Sequence, residues 1–115
     1  MLIRYKRANE KVAMGLLALM PQERQMKQLK QTMELYNENP YWQLFYWKVK
    51  DDYAGIIGVQ IEDEEFFSVQ HLSVIPSFRG EGIGTQLVEA VEKIMGNRKA
   101  KPSKATKEFL LNCKV

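Results

Sequence analysis

Apolar residues along this chain keep two different periods, and the switches between them divide it into elements. Residues 2–7, LIRYKR, open with a short strand-like pattern. From Asn9, a residue type suited to capping a helix, Val12, Leu16, Leu17 and Met20 fall at helical spacing. Pro21 ends that run or starts the next. Met26, Leu29, Met33, Leu35 and Tyr36 predict a second helix over about 22–37, and Asn37-Glu38-Asn39-Pro40 breaks it. Three segments rich in aromatic and β-branched residues follow: YWQLFYWKVK (41–50), YAGIIGVQIE (53–62) and EFFSVQHLSV (65–74). A tight turn at Asp51-Asp52 and an acidic turn join them, which predicts an antiparallel meander. In the third strand Leu72 and Val74 face one way, and His71 and Ser73 the other. After VIPSFRGEGIG the period lengthens again. Ile83, Leu87, Val91 and Ile94, with Val88 and Met95 beside them, predict a helix over about 81–95 that Gly96-Asn97 ends. Residues 98–102 read as a short strand. Ser103 reads as the N-cap of a last helix with Phe109, Leu110 and Cys113 on its inner side. The order β-α-α-β-β-β-α-β-α, with strands run together and helices set apart, is that of an α+β fold.

Composition narrows the setting. A chain of 115 residues suits one domain, 1–115. With 45% hydrophobic and 27% charged residues it is globular material, not a disordered segment. It has no apolar run of transmembrane length, and MLIRYKRANEKV carries too many charges for a secretory leader. Cys113 is the only cysteine, so no internal disulfide forms, and these features together point to the cytoplasm. One His and one Cys make an ordinary zinc site improbable. Net charge is only +3, and its distribution matters more. Arg98, Lys99, Lys101, Lys104 and Lys107 crowd the C-terminal quarter, either as a solvated face or as an attraction for a phosphate-bearing ligand. Glu62, Asp63, Glu64 and Glu65 form the opposite patch in a turn between strands.

The chemistry concentrates in Arg79-Gly80-Glu81-Gly82-Ile83-Gly84, where a strand gives way to a helix. The first N–H groups of a helix lack carbonyl partners, and with the macrodipole they form an anion site. Glycines at 80, 82 and 84 clear the approach, and Arg79 adds a charge that contacts phosphate or braces the loop. A P-loop needs Lys after its last glycine, and none follows Gly84. A dinucleotide fingerprint, G-x-G-x-x-G, fails at Thr85. The spacing that is present is R-x-x-G-x-G.

That spacing, within HLSVIPSFRGEGIGTQLVEAV, resembles motif A of the GNAT superfamily of N-acetyltransferases, and the element order fits that fold. More narrowly, MLIRYKR…KVAMGLLALMP and LFYWK resemble the small RibT-type acetyltransferases of bacterial riboflavin operons. The resemblance implies a mainly antiparallel sheet flanked by helices, with the strand at 66–74 splaying from its neighbour to admit acetyl-CoA. It implies that the pantetheine arm pairs with the backbone of Leu72, Ser73 and Val74. The pyrophosphate then sits on the loop from Gly80 through Glu81, Gly82, Ile83 and Gly84 to Thr85, with Arg79 assisting. The implied reaction is direct acetyl transfer to an amine, of a small molecule or a protein lysine. A base must take the amine's proton and a strand amide, such as that of Val74, stabilises the oxyanion.

The sequence also departs from the family. Where members carry Asn and, seven residues on, an acidic Tyr, this chain has Ser103 and Leu110, and no tyrosine follows Tyr53. The usual C-terminal β-hairpin is expected to be missing, which leaves the acceptor undefined. His71, the only histidine, is the candidate base, the alternative being a histidine packed or hydrogen-bonded on the sheet. Glu62, Glu64 and Glu65 acting through water are further candidates. Cys113 reads as a small apolar residue rather than a nucleophile. Tyr41, Trp42, Phe45, Tyr46 and Trp47 either line an acceptor pocket for a flat ring or, by their alternation, half fill the core. A non-catalytic acetyl-CoA-binding module is the competing reading, and a homo-oligomer is compatible with either. Nucleic-acid binding has only scattered lysines behind it.

Overall fold

A computed structural model describes residues 1–107. Its elements are β1 (Leu2–Arg4), α1 (Glu10–Leu17), α2 (Met26–Glu38), β2 (Trp42–Val49), β3 (Asp52–Ile61), β4 (Phe66–Val74), α3 (Ile83–Ile94) and β5 (Lys99–Pro102). They build one five-stranded sheet in the order β1-β2-β3-β4-β5. Every neighbouring pair is antiparallel except β4 and β5, which run parallel. The result is the mixed α+β architecture expected. The last helix, with Phe109, Leu110 and Cys113, lies outside the described residues.

The sheet is apolar on both faces, and each face has its own helices. On one, α3 lays Ile83, Leu87, Val88 and Val91 against Phe45, Ala54, Ile57, Val59, Phe67, Val69 and Leu72. Burying each of those aliphatic helix residues is worth about 1.5–3 kcal/mol. On the other, Ala13, Leu16 and Leu17 of α1 and Leu29, Met33 and Tyr36 of α2 cover Leu44, Tyr46 and Ile56. The aromatic stretch of β2 therefore divides between the two cores. Phe45 serves one and Tyr46 the other, with Trp47 packed beside the first.

Several boundaries differ from the sequence reading, with β1 ending at Arg4 and α1 at Leu17, and three of the differences have a clear local cause. Pro21–Glu23 forms a 3-10 turn, and Gln25 stays extended at φ −87°, ψ 133°, so α2 starts at Met26 rather than near 22. The β2–β3 turn falls on Lys50-Asp51, with Lys50 at φ 53°, and Asp52 already belongs to β3. Gly82, left-handed at φ 77°, caps α3, so the helix begins at Ile83 and not 81. Asn9 does stand at the N-cap of α1, but its side chain makes no capping bond. Its carbonyl instead accepts the Tyr46 hydroxyl at 2.9 Å.

Strand β4 carries an irregularity the sequence reading did not contain. His71 pairs with Gly58 but Val69 pairs with Val59, which leaves Gln70 as an extra residue. Phe67 and Val69 therefore share a face with Leu72 and Val74 despite the change of parity.

Two buried tyrosines set an alkaline limit on this fold. Desolvation raises the pKa of Tyr46, and desolvation, then Glu23, raises that of Tyr36 well above the ordinary 10.0. Both hydroxyls stay protonated in the folded chain. The unfolded chain ionises them near pH 10 and gains from doing so. Stability is therefore full below about pH 10 and is lost as pH rises above it. Urea midpoints measured from pH 8 to 11 should fall in the upper half of that range, and less steeply in a Tyr36→Phe variant.

Candidate active site

The pairing of β4 with β5 spans only Phe66–Val69 against Lys99–Pro102. It stops at a hydrogen-bonded corner. The Ser103 amide and the Thr106 hydroxyl both donate to the Val69 carbonyl, at 3.2 and 2.7 Å. The Ser103 amide also donates to Thr106 Oγ1 at 3.0 Å, and this holds the chain away from the rest of β4. Beyond Val69 no strand among the described residues pairs with the outer edge of β4.

Alternation decides which groups face that edge. The Ile75 amide donates to the Ala54 carbonyl at 2.9 Å, so odd-numbered amides here turn toward β3. Ser73 follows Ile75, and the amides of Leu72 and Val74 point to the open edge. The Leu72 N–H meets Met20 Sδ at 3.3 Å. The Val74 carbonyl, on the same edge, accepts Arg79 Nε at 3.0 Å. Arg79 thus braces the end of β4 to the loop that follows.

That loop runs through a 3-10 turn, Pro76–Phe78, to Gly80 at φ 86° and Gly82 at φ 77°. Left-handed backbone favours glycine. A Cβ on either residue would meet no atom within 4 Å, so conformation and open space, not crowding, account for both. The first helical bond runs from the Gln86 amide to the Gly82 carbonyl at 3.0 Å. Ile83 and Gly84 open the helix, where helical geometry offers their N–H groups no carbonyl.

The open edge and the helix start share one cavity of about 620 Å³. Leu72, Ser73, Val74, Arg79, Gly80, Gly82, Ile83, Gly84 and Thr85 line one side, and Leu19, Met20, Pro21 and Ala105 the other. Of the loop residues expected to gather there, Glu81 alone stays off the wall.

A second cavity, of about 300 Å³, lies across Ala105, which lines both. Glu23, Thr32, Trp42, Gln70, His71 and Lys104 are among its walls. His71 is 6% exposed and both its ring nitrogens are engaged. Nδ1 lies 2.6 Å from the Tyr36 hydroxyl and Nε2 lies 3.1 Å from Glu23 Oε1. The Thr32 hydroxyl stands 2.8 Å from each Glu23 oxygen. The candidate base is thus the middle of a buried Tyr36–His71–Glu23–Thr32 chain.

Other sequence candidates fall elsewhere. Glu62, Glu64 and Glu65 line neither cavity. Glu62 pairs with Lys101 at 3.1 Å, and Arg98 Nε donates to the Asp63 carbonyl at 2.6 Å. The basic and acidic patches, read as separate faces, in part satisfy each other. Among the five basic residues only Lys104 lines either of these two cavities. Of the aromatic stretch only Trp42 does, edge-on to Tyr36 at 5.5 Å. Tyr41 is exposed. Among the described residues no group of acidic, His or Cys side chains is placed to hold a metal ion, and no helix is long and apolar enough to cross a membrane.

Sequence reasoning missed Met20, Tyr36 and Glu23 as parts of this site. For Glu23 the available signal was an acidic residue two positions after Pro21, at the junction of two apolar helical runs.

The acetyltransferase (GNAT) family model matches residues 10–108. An N-acetyltransferase of Bacillus methanolicus, described as uncharacterized and encoded in the lysA 3′ region, is 44% identical over 115 residues, covering all of this chain and 96% of that protein. The structure of AAC(6′)-Iy in complex with the bisubstrate analogue CoA-S-monomethyl-acetylneamine has a TM-score of 0.78 at 15% identity, covering 97% of this chain and 84% of that one. A GNAT family acetyltransferase from Elizabethkingia anophelis with acetyl-CoA bound has a TM-score of 0.72 at 18% identity, covering 99% and 72%. Both solved structures share the fold. An open strand edge running into a glycine-rich helix start is the frame of an acyl-transfer enzyme. The chain belongs to the GNAT family of acetyltransferases.

Proposed function

We propose that this protein, as one acetyl-CoA-binding domain over residues 1–115, transfers the acetyl group of acetyl-CoA directly to an amine. The observation that carries the reading is the continuity of the larger cavity. It joins the outward amides of Leu72 and Val74 to the helix start at Gly82–Thr85. An extended pantetheine arm can add to the edge of β4 as a strand would. A pyrophosphate matches the loop amides and the macrodipole. With phosphates at Gly80–Thr85, the thioester lies at the other end, by Leu72, next to the residues that line the second cavity. The Leu72 amide, more than that of Val74, is then the donor to the developing oxyanion. Arg79 acts mainly by holding the Val74 carbonyl. The acceptor amine arrives through the second cavity, and its nitrogen attacks the carbonyl carbon.

A finer reading places the acceptor in flavin supply. Its support is the sequence likeness to the riboflavin-operon acetyltransferases alone.

Calorimetry with acetyl-CoA and a thiol-release assay over an amine panel test the proposal. Micromolar binding with amine-dependent release of CoA is expected. Absence of binding at millimolar acetyl-CoA would overturn it, and binding without release on any amine would assign the non-catalytic module.

A further inference from the structure

We propose that Glu23, not His71, receives the proton of the acceptor amine, and that the second cavity selects small primary amines whose remaining groups are uncharged hydrogen-bonders. This rests on the acetyl-transfer reading above and concerns the acceptor half of the same reaction.

Glu23 is 2% exposed and yet lines a cavity. Buried carboxylates are ordinarily paired with a cation or neutralised. The hydrogen-bond partners of this one are the Thr32 hydroxyl and His71 Nε2. A carboxylate only accepts, so Nε2 carries the hydrogen that faces Glu23. In that neutral imidazole Nδ1 accepts from the Tyr36 hydroxyl, which burial, then Glu23, keeps protonated. His71 then has no lone pair left for a substrate. Its role is positional: with Thr32 it orients a carboxylate whose remaining lone pairs are available to the cavity.

Charge and size define the acceptor. The titratable groups around Glu23 are His71 from β4, Tyr36 from α2 and Lys104 from the turn after β5. Lys104 is exposed. Among the described residues no lysine or arginine is bonded to this buried carboxylate, and such a group attracts an ammonium. The rest of the wall holds Gln22, Gln28 and Gln70 beside the rings of Trp42; the Gln22 and Gln70 nitrogens donate within the protein, which leaves their carbonyl oxygens and Gln28 to suit neutral hydroxyl or amide groups. A space of about 300 Å³ stands at the small end of ligand cavities, which suits a small molecule.

The proton balance closes on these groups. The bound ammonium gives one proton to Glu23, which passes it to solvent. The neutral nitrogen forms its C–N bond to the thioester carbonyl carbon, and the C–S bond breaks with its electron pair on sulfur. The second proton leaves nitrogen for Glu23 and ends on the CoA thiolate.

The experiment measures acetyl-CoA affinity, kcat and KM against pH for wild-type protein and Glu23→Gln, with 2-aminoethanol, 4-aminobutyrate, spermidine and a lysine-containing peptide as acceptors. Wild type should favour 2-aminoethanol. Glu23→Gln should keep its acetyl-CoA Kd within twofold, lose about a hundredfold in kcat and lose the rising limb of the pH profile. His71→Gln should retain that limb, displaced, with a smaller loss. A Glu23→Gln enzyme within threefold of wild-type kcat, or one with the limb intact, overturns the inference. Preference for the peptide or spermidine overturns the substrate class. Should Glu23→Gln fail to fold, Thr32→Val decides. Removing a donor to the carboxylate must move the limb to higher pH, and an unmoved limb counts against Glu23. Wild-type protein that binds acetyl-CoA but acetylates none of the four amines sinks this inference and leaves the cofactor reading standing.

Discussion

Replacing Gly82 with valine is expected to weaken acetyl-CoA binding about a thousandfold. The loss follows from where the new side chain goes. A Cβ at Gly82 meets no protein atom within 4 Å, and Gly82 lines the larger cavity. Isopropyl carbons there stand where the pyrophosphate would meet the helix-start amides. Two charge-assisted hydrogen bonds lost at roughly 2 kcal/mol each amount to about a thousandfold in Kd. The substitution has a second effect, because Gly82 sits at φ 77° and a β-branched residue there is strained by about 1–3 kcal/mol. Gly96 separates the two effects. It closes α3 at φ 67°, also with nothing within 4 Å, and lines neither cavity. Gly96→Val should therefore lose similar stability in denaturant unfolding but bind acetyl-CoA as wild type does. Calorimetry on the two folded variants makes the comparison. Equal affinities in both would mean that the ligand does not lie on this loop.

Gly58→Ala should destabilise the fold by about 3 kcal/mol, although it adds one methyl group. Gly58 stands in β3 between Leu44 on β2 and His71 on β4. A Cβ there would overlap the Tyr36 hydroxyl and come within 3.1 Å of Leu44 Cδ1. Tyr36 has little room to retreat. Its ring is edge-on to both Trp42 and His71 at 5.5 Å, and only 7% of the residue is exposed. Overpacking of this kind costs about 1–3 kcal/mol, and losing the bond to His71 adds about 1 kcal/mol more. Chemical denaturation reads the effect directly. A change below about 1 kcal/mol would show that the tyrosine swings aside freely. The variant should also lose turnover beyond its loss of folded protein, because displacing Tyr36 releases His71 from its tautomer.

Elements were legible in the sequence where burial is one-sided and local. The α3 stripe of Ile83, Leu87, Val88 and Val91 stands out because one face of one helix meets one sheet. The glycine turn was legible because left-handed backbone and helix-start chemistry are written in consecutive residues. The proposed acceptor side was not, because its contacts cross the chain. His71 meets Glu23 over 48 positions and Tyr36 over 35. Each of those residues fits an ordinary helix, turn or strand pattern by itself. The bulge at Gln70 lay between. The apolar positions change from odd, Phe67 and Val69, to even, Leu72 and Val74, and that slip marks one inserted residue. The two charge patches show the same limit, since the Lys101–Glu62 pair joins residues 39 positions apart.

Ala105 belongs to both cavities, and it sits in the short corner that Thr106 pins to Val69. Under the proposed placement of acetyl-CoA and amine, donor and acceptor affinity are therefore not independent traits in this protein. A larger residue at 105 narrows both rooms at once. Any redesign of the acceptor preference that leaves the cofactor alone has to work from the far wall, at Leu35, Gln28 or Trp42, where the partition is not shared.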